Sequence, residues 1–203
     1  MARRRWFAPG REVALYLGCY LVYLLTRGLL FDESVALLNA QKVISIERSL
    51  GILVEPAWQG WLVDQGPGLL IIFNWVYIIT YWPIILGMGL ALYLLRRNKY
   101  YYYRSVLILN LFLALTFFLL LAVAPPFKSV PGLLDSIQTY GPTFYGSPQM
   151  TAFYNPNAAV PSLHFSWTVV FGVLFYRSMT GWRKYLGVLY PMLTFSAIVF
   201  TGN

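Results

Sequence analysis

Three stretches of this chain carry no charged side chain: Gln65 to Leu95, Ser105 to Phe127 and Tyr185 to Asn203. A helix rises about 1.5 Å per residue, so crossing a hydrocarbon core about 30 Å thick takes about 20 apolar residues. Each of the three runs is long enough. Val13 to Leu30 is a fourth candidate, interrupted only by Arg27 near one end, where a long stem can carry the charge back to the interface. Leu163 to Tyr176 is a fifth; it is short, but it follows a Pro-rich loop and extends by a turn at either end. With 59% of 203 residues hydrophobic and 11% charged, against about 25% charged in an ordinary soluble domain, the composition agrees. The expected fold class is therefore all-α: a polytopic membrane helical bundle with five spans, forming a single integral membrane domain over residues 1–203.

The formal net charge of +8 raises the question of nucleic acid, and the placement of the charges answers it. Eleven of the fifteen Lys and Arg fall in three segments: Arg3, Arg4, Arg5 and Arg11; then Arg96, Arg97, Lys99 and Arg104; then Arg177, Arg183 and Lys184. If the N-terminus is cytoplasmic and five spans alternate, all three segments lie inside, as basic segments of membrane proteins do. Six of the seven acids then lie outside with Arg27, Lys42, Arg48 and Lys128. Topology accounts for the basic clusters, and no nucleic-acid partner is expected. The basic N-terminal head is followed by no small-residue cleavage site, so a retained first span is expected rather than a signal peptide. The single cysteine, Cys19, excludes an intramolecular disulfide, and no internal repeat or second soluble domain is visible.

Between the first two spans, SVALLNAQKVISIERSLGILVEPAWQGWLVDQ is too polar for a span. Val43, Ile46, Leu50 and Leu53 recur at helical spacing, which predicts an amphipathic helix at the outer interface or against the bundle, ended by Pro56. Trp58, Trp61, Trp75, Tyr77, Tyr81 and Trp82 fit interfacial anchors or bundle packing, with the lining of a substrate groove as the other reading. The run Tyr100 to Tyr103 fits the same anchoring role at the inner face.

The segment from Ala124 to Pro161 is rich in Pro and Gly, lies outside by this topology, and leads into SLHFSWTVVFG. Pro161 opens a helix there. Ser162 and the free N–H groups of that first turn can hold an anion, helped by the helix dipole, and a phosphate suits that chemistry. His164, the only histidine, stands beside it and can give or take a proton near neutrality. Lys128, also outside, can neutralise a phosphoryl oxygen. Each has a plainer reading: a helix cap for Ser162, a histidine satisfied within the bundle, a lysine facing lipid headgroups. Asp135, Tyr154, Asn155 and Asn157 are weaker candidates around the same loop.

AVPSLHFSW resembles the PSxH motif of the type 2 phosphatidic acid phosphatase superfamily. Together with ERSLGILVEP, APPFK, NPNAAVPSLHFSW and YPMLTFSAIVFTGN, it resembles the bacterial branch related to the inositol phosphorylceramide synthases, over about Glu47 to Asn203. The resemblance implies a six-span bundle with a metal-independent, cofactor-free site at one membrane face, where a histidine attacks a lipid phosphate or phosphodiester and forms a phosphohistidine. It implies that Ser162 and Lys128 hold phosphoryl oxygens and that His164 protonates the leaving alcohol. Water as acceptor gives a phosphatase; a polyol or lipid alcohol gives a phosphotransferase. In this branch the attacking histidine follows a phrase like TGN, with an Asp four residues on. The chain is expected to be C-terminally truncated before that motif and the sixth span, and residues 1–203 alone are expected to be inactive.

The expected setting is the cell membrane, multi-pass, with membrane lipids as partners, a lipid phosphate as substrate and the site on the extracytoplasmic face. A non-enzymatic membrane scaffold or a small transporter is the alternative. A transporter would more naturally place polar groups near the midplane than at a mouth.

Overall fold

The computed structural model describes residues 3–30, 32–142 and 159–202, and every regular element among them is helical. In chain order the helices are α1 (Arg3–Leu30), α2 (Glu33–Leu50), α3 (Glu55–Asp64), α4 (Pro67–Ile79), α5 (Trp82–Leu95) and α6 (Arg97–Leu120). Two short turns, α7 (Pro126–Ser129) and α8 (Ser136–Tyr140), precede α9 (Leu163–Ser178), a 3₁₀ turn (Gly181–Tyr185) and α10 (Leu186–Thr201).

Three helical stretches among the described residues are long and apolar enough to cross a membrane: Pro67–Leu95, Arg97–Leu120 and Gly181–Thr201. They contain most of each of the three charge-free runs. Outward-facing Leu109, Phe112, Leu113, Phe117 and Leu120 leave α6 apolar on its exposed side, as lipid requires and water does not. These features mark a membrane protein. At the fourth and fifth candidate positions the chain is also helical, in α1 and α9, but the 16 residues of α9 reach only about 24 Å. Among the described residues, length and composition by themselves mark three of the five expected spans.

The amphipathic helix forms with different limits and a different buried face. Asp32 caps α2 by accepting from the Ser34 and Val35 N–H groups, and its hydrogen bonds, first among them the Ser34 hydroxyl, hold its carboxyl below the usual range. Gly51, at φ +68°, ends the helix in the left-handed conformation that glycine adopts freely. Pro56 does not end α2; it sits in the first turn of α3, where its missing N–H costs nothing. The buried face is Ala36, Asn39, Ala40 and Ile44, with Val43 partly covered, whereas Ile46 and Leu50 are exposed. Small side chains won that face because it lies directly on backbone: Ala36 and Ala40 pack on Ala122 to Ala124, with the Ala124 N–H donating to Ala36 O and Asn39 Nδ2 to Ala122 O.

The charge-free run Gln65 to Leu95 is broken at Thr80 and Tyr81, because Pro83 has no N–H to donate to the carbonyl of Ile79. Side chains take up the exposed backbone. The Tyr190 hydroxyl donates to Thr80 O and His164 Nε2 to Tyr77 O.

Helices α9 and α10 make the closest crossing in the bundle. A Cβ on Gly172 would lie 2.5 Å from the Gly187 carbonyl oxygen, and one on Gly187 would run into the backbone of Gly172 and Tyr176. Backbone lies against backbone there, so no side-chain rotation relieves the clash. Gly172→Ala or Gly187→Ala is expected to cost about 1–3 kcal/mol, the range of overpacked cores, and to lower the unfolding temperature of the detergent-solubilised protein. Gly87→Ala, where a Cβ meets nothing within 4 Å, is the control and should not lower it.

Candidate functional site at the start of helix α9

Residues 122–142 fold over one end of the bundle, and buried side-chain amides hold them there. Gln59, 2% exposed, accepts from the Leu134 N–H at 2.7 Å and donates to the Leu134 and Phe200 carbonyls. Asn74, fully buried, donates to Ser136 O at 2.8 Å and accepts from Ser136 Oγ at 2.7 Å. At its start, the Phe127 N–H donates to Gly202 O, so the end of α10 meets the turn that carries Lys128. The Ala159 N–H donates to Val123 O, which lays the approach to Pro161 beside the approach to Lys128. Two segments almost forty positions apart in sequence are thereby neighbours.

Ser162 is the N-cap of α9: its Oγ accepts from the Phe165 N–H at 3.2 Å. The cap leaves the hydroxyl hydrogen able to donate to an anion. Ser166, one turn on, donates to Asn110 Oδ1 at 2.9 Å and ties α9 to α6. Lys128 Nζ forms an ion pair with Glu33 Oε1 at 2.6 Å, with the two side chains 28% and 54% exposed. Such a pair is worth about 0–1 kcal/mol, so an arriving phosphate can draw the ammonium away.

His164 lies between two tyrosines. Its ring stacks on Tyr81 at 3.8 Å between centroids and 20° between planes, and on Tyr77 at 4.0 Å and 14°. Nε2 is 3.0 Å from Tyr77 O. A carbonyl only accepts, so Nε2 carries hydrogen and Nδ1 is the nitrogen left to exchange a proton with a ligand. Tyr77 and Tyr81 are four positions apart, on one face where α4 gives way to α5, which lets both rings meet one imidazole.

Ser162, His164, Lys128 and Asp135 all line one cavity of about 950 Å³. It is at the large end of the range for ligand sites. The structure thus brings the three sequence candidates together with Asp135, whose carboxylate caps α8 by accepting from the Gln138 N–H at 2.9 Å. Tyr154, Asn155 and Asn157 lie outside the described residues. Of the aromatic set, Tyr77, Tyr81 and Trp82 line the cavity, while Trp58, Trp61 and Trp75 are exposed on the outer surface. The stacking role of Tyr77 and Tyr81 escaped sequence reasoning; the only signal was their four-residue spacing just before Pro83. No group of three or more His, Cys, Asp or Glu side chains among the described residues is placed to hold a metal ion.

Because the chain has one histidine, its imidazole signals are unambiguous in a spectrum of the whole protein. Ring currents from both tyrosines should move the carbon-bound imidazole protons upfield in the wild-type protein, with the slowly exchanging ring proton on Nε2. Tyr81→Leu should shift those signals back toward unstacked values while leaving the Nε2 proton in place. Unchanged imidazole shifts in Tyr81→Leu would contradict the stacked geometry.

The family model described as the PAP2 superfamily matches residues 41–203. No curated protein and no solved structure matches the chain significantly. The match takes in α3 to α10, the loop bearing Lys128 and the Pro161 to His164 turn. On a match covering most of its length, and with PSLH at the mouth of an apolar helical bundle, the chain belongs to the PAP2 superfamily.

Proposed function

We propose that this chain is part of a membrane-embedded phosphoryl-transfer enzyme acting on a lipid phosphate or phosphodiester. Membership of the PAP2 superfamily carries the phosphatase-type chemistry, and the helical spans carry the membrane setting. The observation behind the finer reading is that Ser162 and His164, at the start of α9, and Lys128, more than thirty positions earlier, line the same cavity. Lys128 and Ser162 hold the phosphoryl oxygens, Lys128 leaving Glu33 to do so. His164, protonated at Nδ1, gives that proton to the leaving alcohol oxygen as the P–O bond breaks.

The family resemblance assigns attack on phosphorus to a second histidine, whose ring nitrogen forms the P–N bond. Water or a polyol hydroxyl then attacks phosphorus, returning its proton to His164 as the P–N bond breaks. Residues 1–203 hold one histidine, so on this reading they supply the phosphate pocket and the acid. The Gly202 carbonyl accepts from the Phe127 N–H, next to Lys128, so the end of α10 lies beside the proposed site. With α1 and α9 counted as spans, alternation from a cytoplasmic N-terminus puts this mouth on the extracytoplasmic face and Arg96, Arg97, Arg183 and Lys184 inside.

The test is phosphate release from a lipid phosphate, alongside transfer to added inositol, by the protein expressed with any coding sequence that follows Asn203. His164→Ala should lower kcat by about 10²–10⁴-fold, the usual contribution of a general acid. Lys128→Ala should lower it by about 10²–10³-fold, and Ser162→Ala should fall as well. Full turnover in both His164→Ala and Ser162→Ala would refute the assignment. Residues 1–203 alone should form no phosphohistidine, which acid-labile labelling with radioactive lipid phosphate would reveal.

A further inference from the structure

The cavity that begins at His164 continues far below it. On α6 its lining runs from Phe118 to Tyr100, 18 positions, or about 27 Å along the helix axis. That is nearly the whole hydrocarbon core, about 30 Å, and well past the about 15 Å of a single leaflet. The middle walls are apolar, and the groove opens sideways between α1 and α5, where Val13, Leu17, Leu86 and Leu90 are each more than half exposed.

Its far end is polar. Glu12 Oε1 pairs with Arg104 at 2.6 Å, and the Tyr100 hydroxyl donates to Glu12 Oε2 at 2.8 Å with Tyr16 beside it. Glu12, Tyr16, Tyr93 and Tyr100 all line the cavity there. One continuous space therefore has phosphate-suited groups at the outer end, hydrocarbon walls between, and an ionic floor at the inner end.

We propose that this groove takes the hydrocarbon tail of the phosphate-bearing substrate, admits a chain longer than one leaflet is deep, and sets its limit at the Glu12–Arg104–Tyr100 floor. The substrate class is then a phosphoester of a long-chain alcohol. The inference rests on the phosphoryl-transfer reading for the outer end. The side opening lets the tail slide in from the bilayer without crossing water, so its entry desolvates no polar group. At the floor, a methyl end meets the Glu12–Arg104 pair braced by the Tyr100 hydroxyl, and further hydrocarbon there would have to break those bonds.

The experiment uses the full chain in phosphatidylcholine nanodiscs and phosphomonoesters of linear alcohols that carry a photoreactive diazirine. In one probe the diazirine is at the end of a core-length tail, in a second at the end of a leaflet-length tail, and in a third next to the phosphate. Mass spectrometry maps the adducts. The core-length probe should label Tyr93, Tyr100 or α1 between Pro9 and Tyr16; the leaflet-length probe should label Ile85, Leu107 or Leu111. Gly89 lines the groove with nothing within 4 Å of a Cβ placed there, so Gly89→Phe sends a ring into the passage from a position with room for its first carbon. It should cut deep labelling about tenfold, equivalent to ~1.4 kcal/mol, and leave labelling by the phosphate-proximal probe intact. Gly87→Phe, off the groove, should change neither.

Tail-end adducts on the lipid-facing Leu109, Phe112 and Leu113 whatever the tail length, with phosphate-proximal adducts still near His164, would overturn the groove and leave the catalytic reading standing. Equal deep labelling by the parent alcohol lacking phosphate would support the groove and count against the phosphate site. Deep labelling that survives Gly89→Phe would also overturn the proposal.

Discussion

A chain inside a bilayer has no water to satisfy its backbone, so each break in a helix needs a side chain to close it. The structure depends on that constraint at two places. Where Pro83 breaks the run from Pro67 to Leu95, the Tyr77 and Thr80 carbonyls are capped by His164 and Tyr190. Where residues 122–142 leave regular structure, the amides of Asn39, Gln59 and Asn74 hold their backbone. An unmet buried donor or acceptor costs about 1–3 kcal/mol, and these are groups no water would readily reach.

The same bonds arrange the candidate site. His164 reaches Tyr77 O because the break exposes that region, and the bond carries the imidazole between Tyr77 and Tyr81. The loop that presents Lys128 is held from below by α3 and α4 and from the side by the end of α10. A helix break that would be a weakness in an isolated span is thus the feature that orients the site's one histidine.

Much of this was legible in the sequence, for reasons that can be named. Charge-free runs mark lipid-compatible helices through composition alone, and the Pro-Ser-Leu-His turn marks a capped helix start beside an imidazole. The contacts of α2 were not legible. Its larger residues at helical spacing suggested a packing face, but Ala36 and Ala40 took it because the neighbour is extended backbone, which hydrophobicity does not encode. Pro56 was misplaced for a related reason: a proline marks a helix boundary without saying whether it opens or closes. The tyrosine stack depends on the break between α4 and α5 meeting the first turn of α9, a long-range relation that local spacing could only hint at.

The two ends of the cavity show how similar charges take different tasks. Glu12 and Arg104 are 14% and 21% exposed, with the Tyr100 hydroxyl adding a second bond to the carboxylate. Separating an enclosed pair strands a charge and costs about 3–5 kcal/mol where burial is complete, so this end stays closed. Glu33 and Lys128 are more open to solvent, and exchanging one anion for another there costs little. A phosphate at the level of Lys128 replaces a weak partner; at the level of Arg104 it would have to break a stronger one. On the proposed reading, this difference in enclosure, rather than the identity of the basic side chain, makes the Lys128 end the one that takes an anion and so sets the direction of any amphiphile that enters.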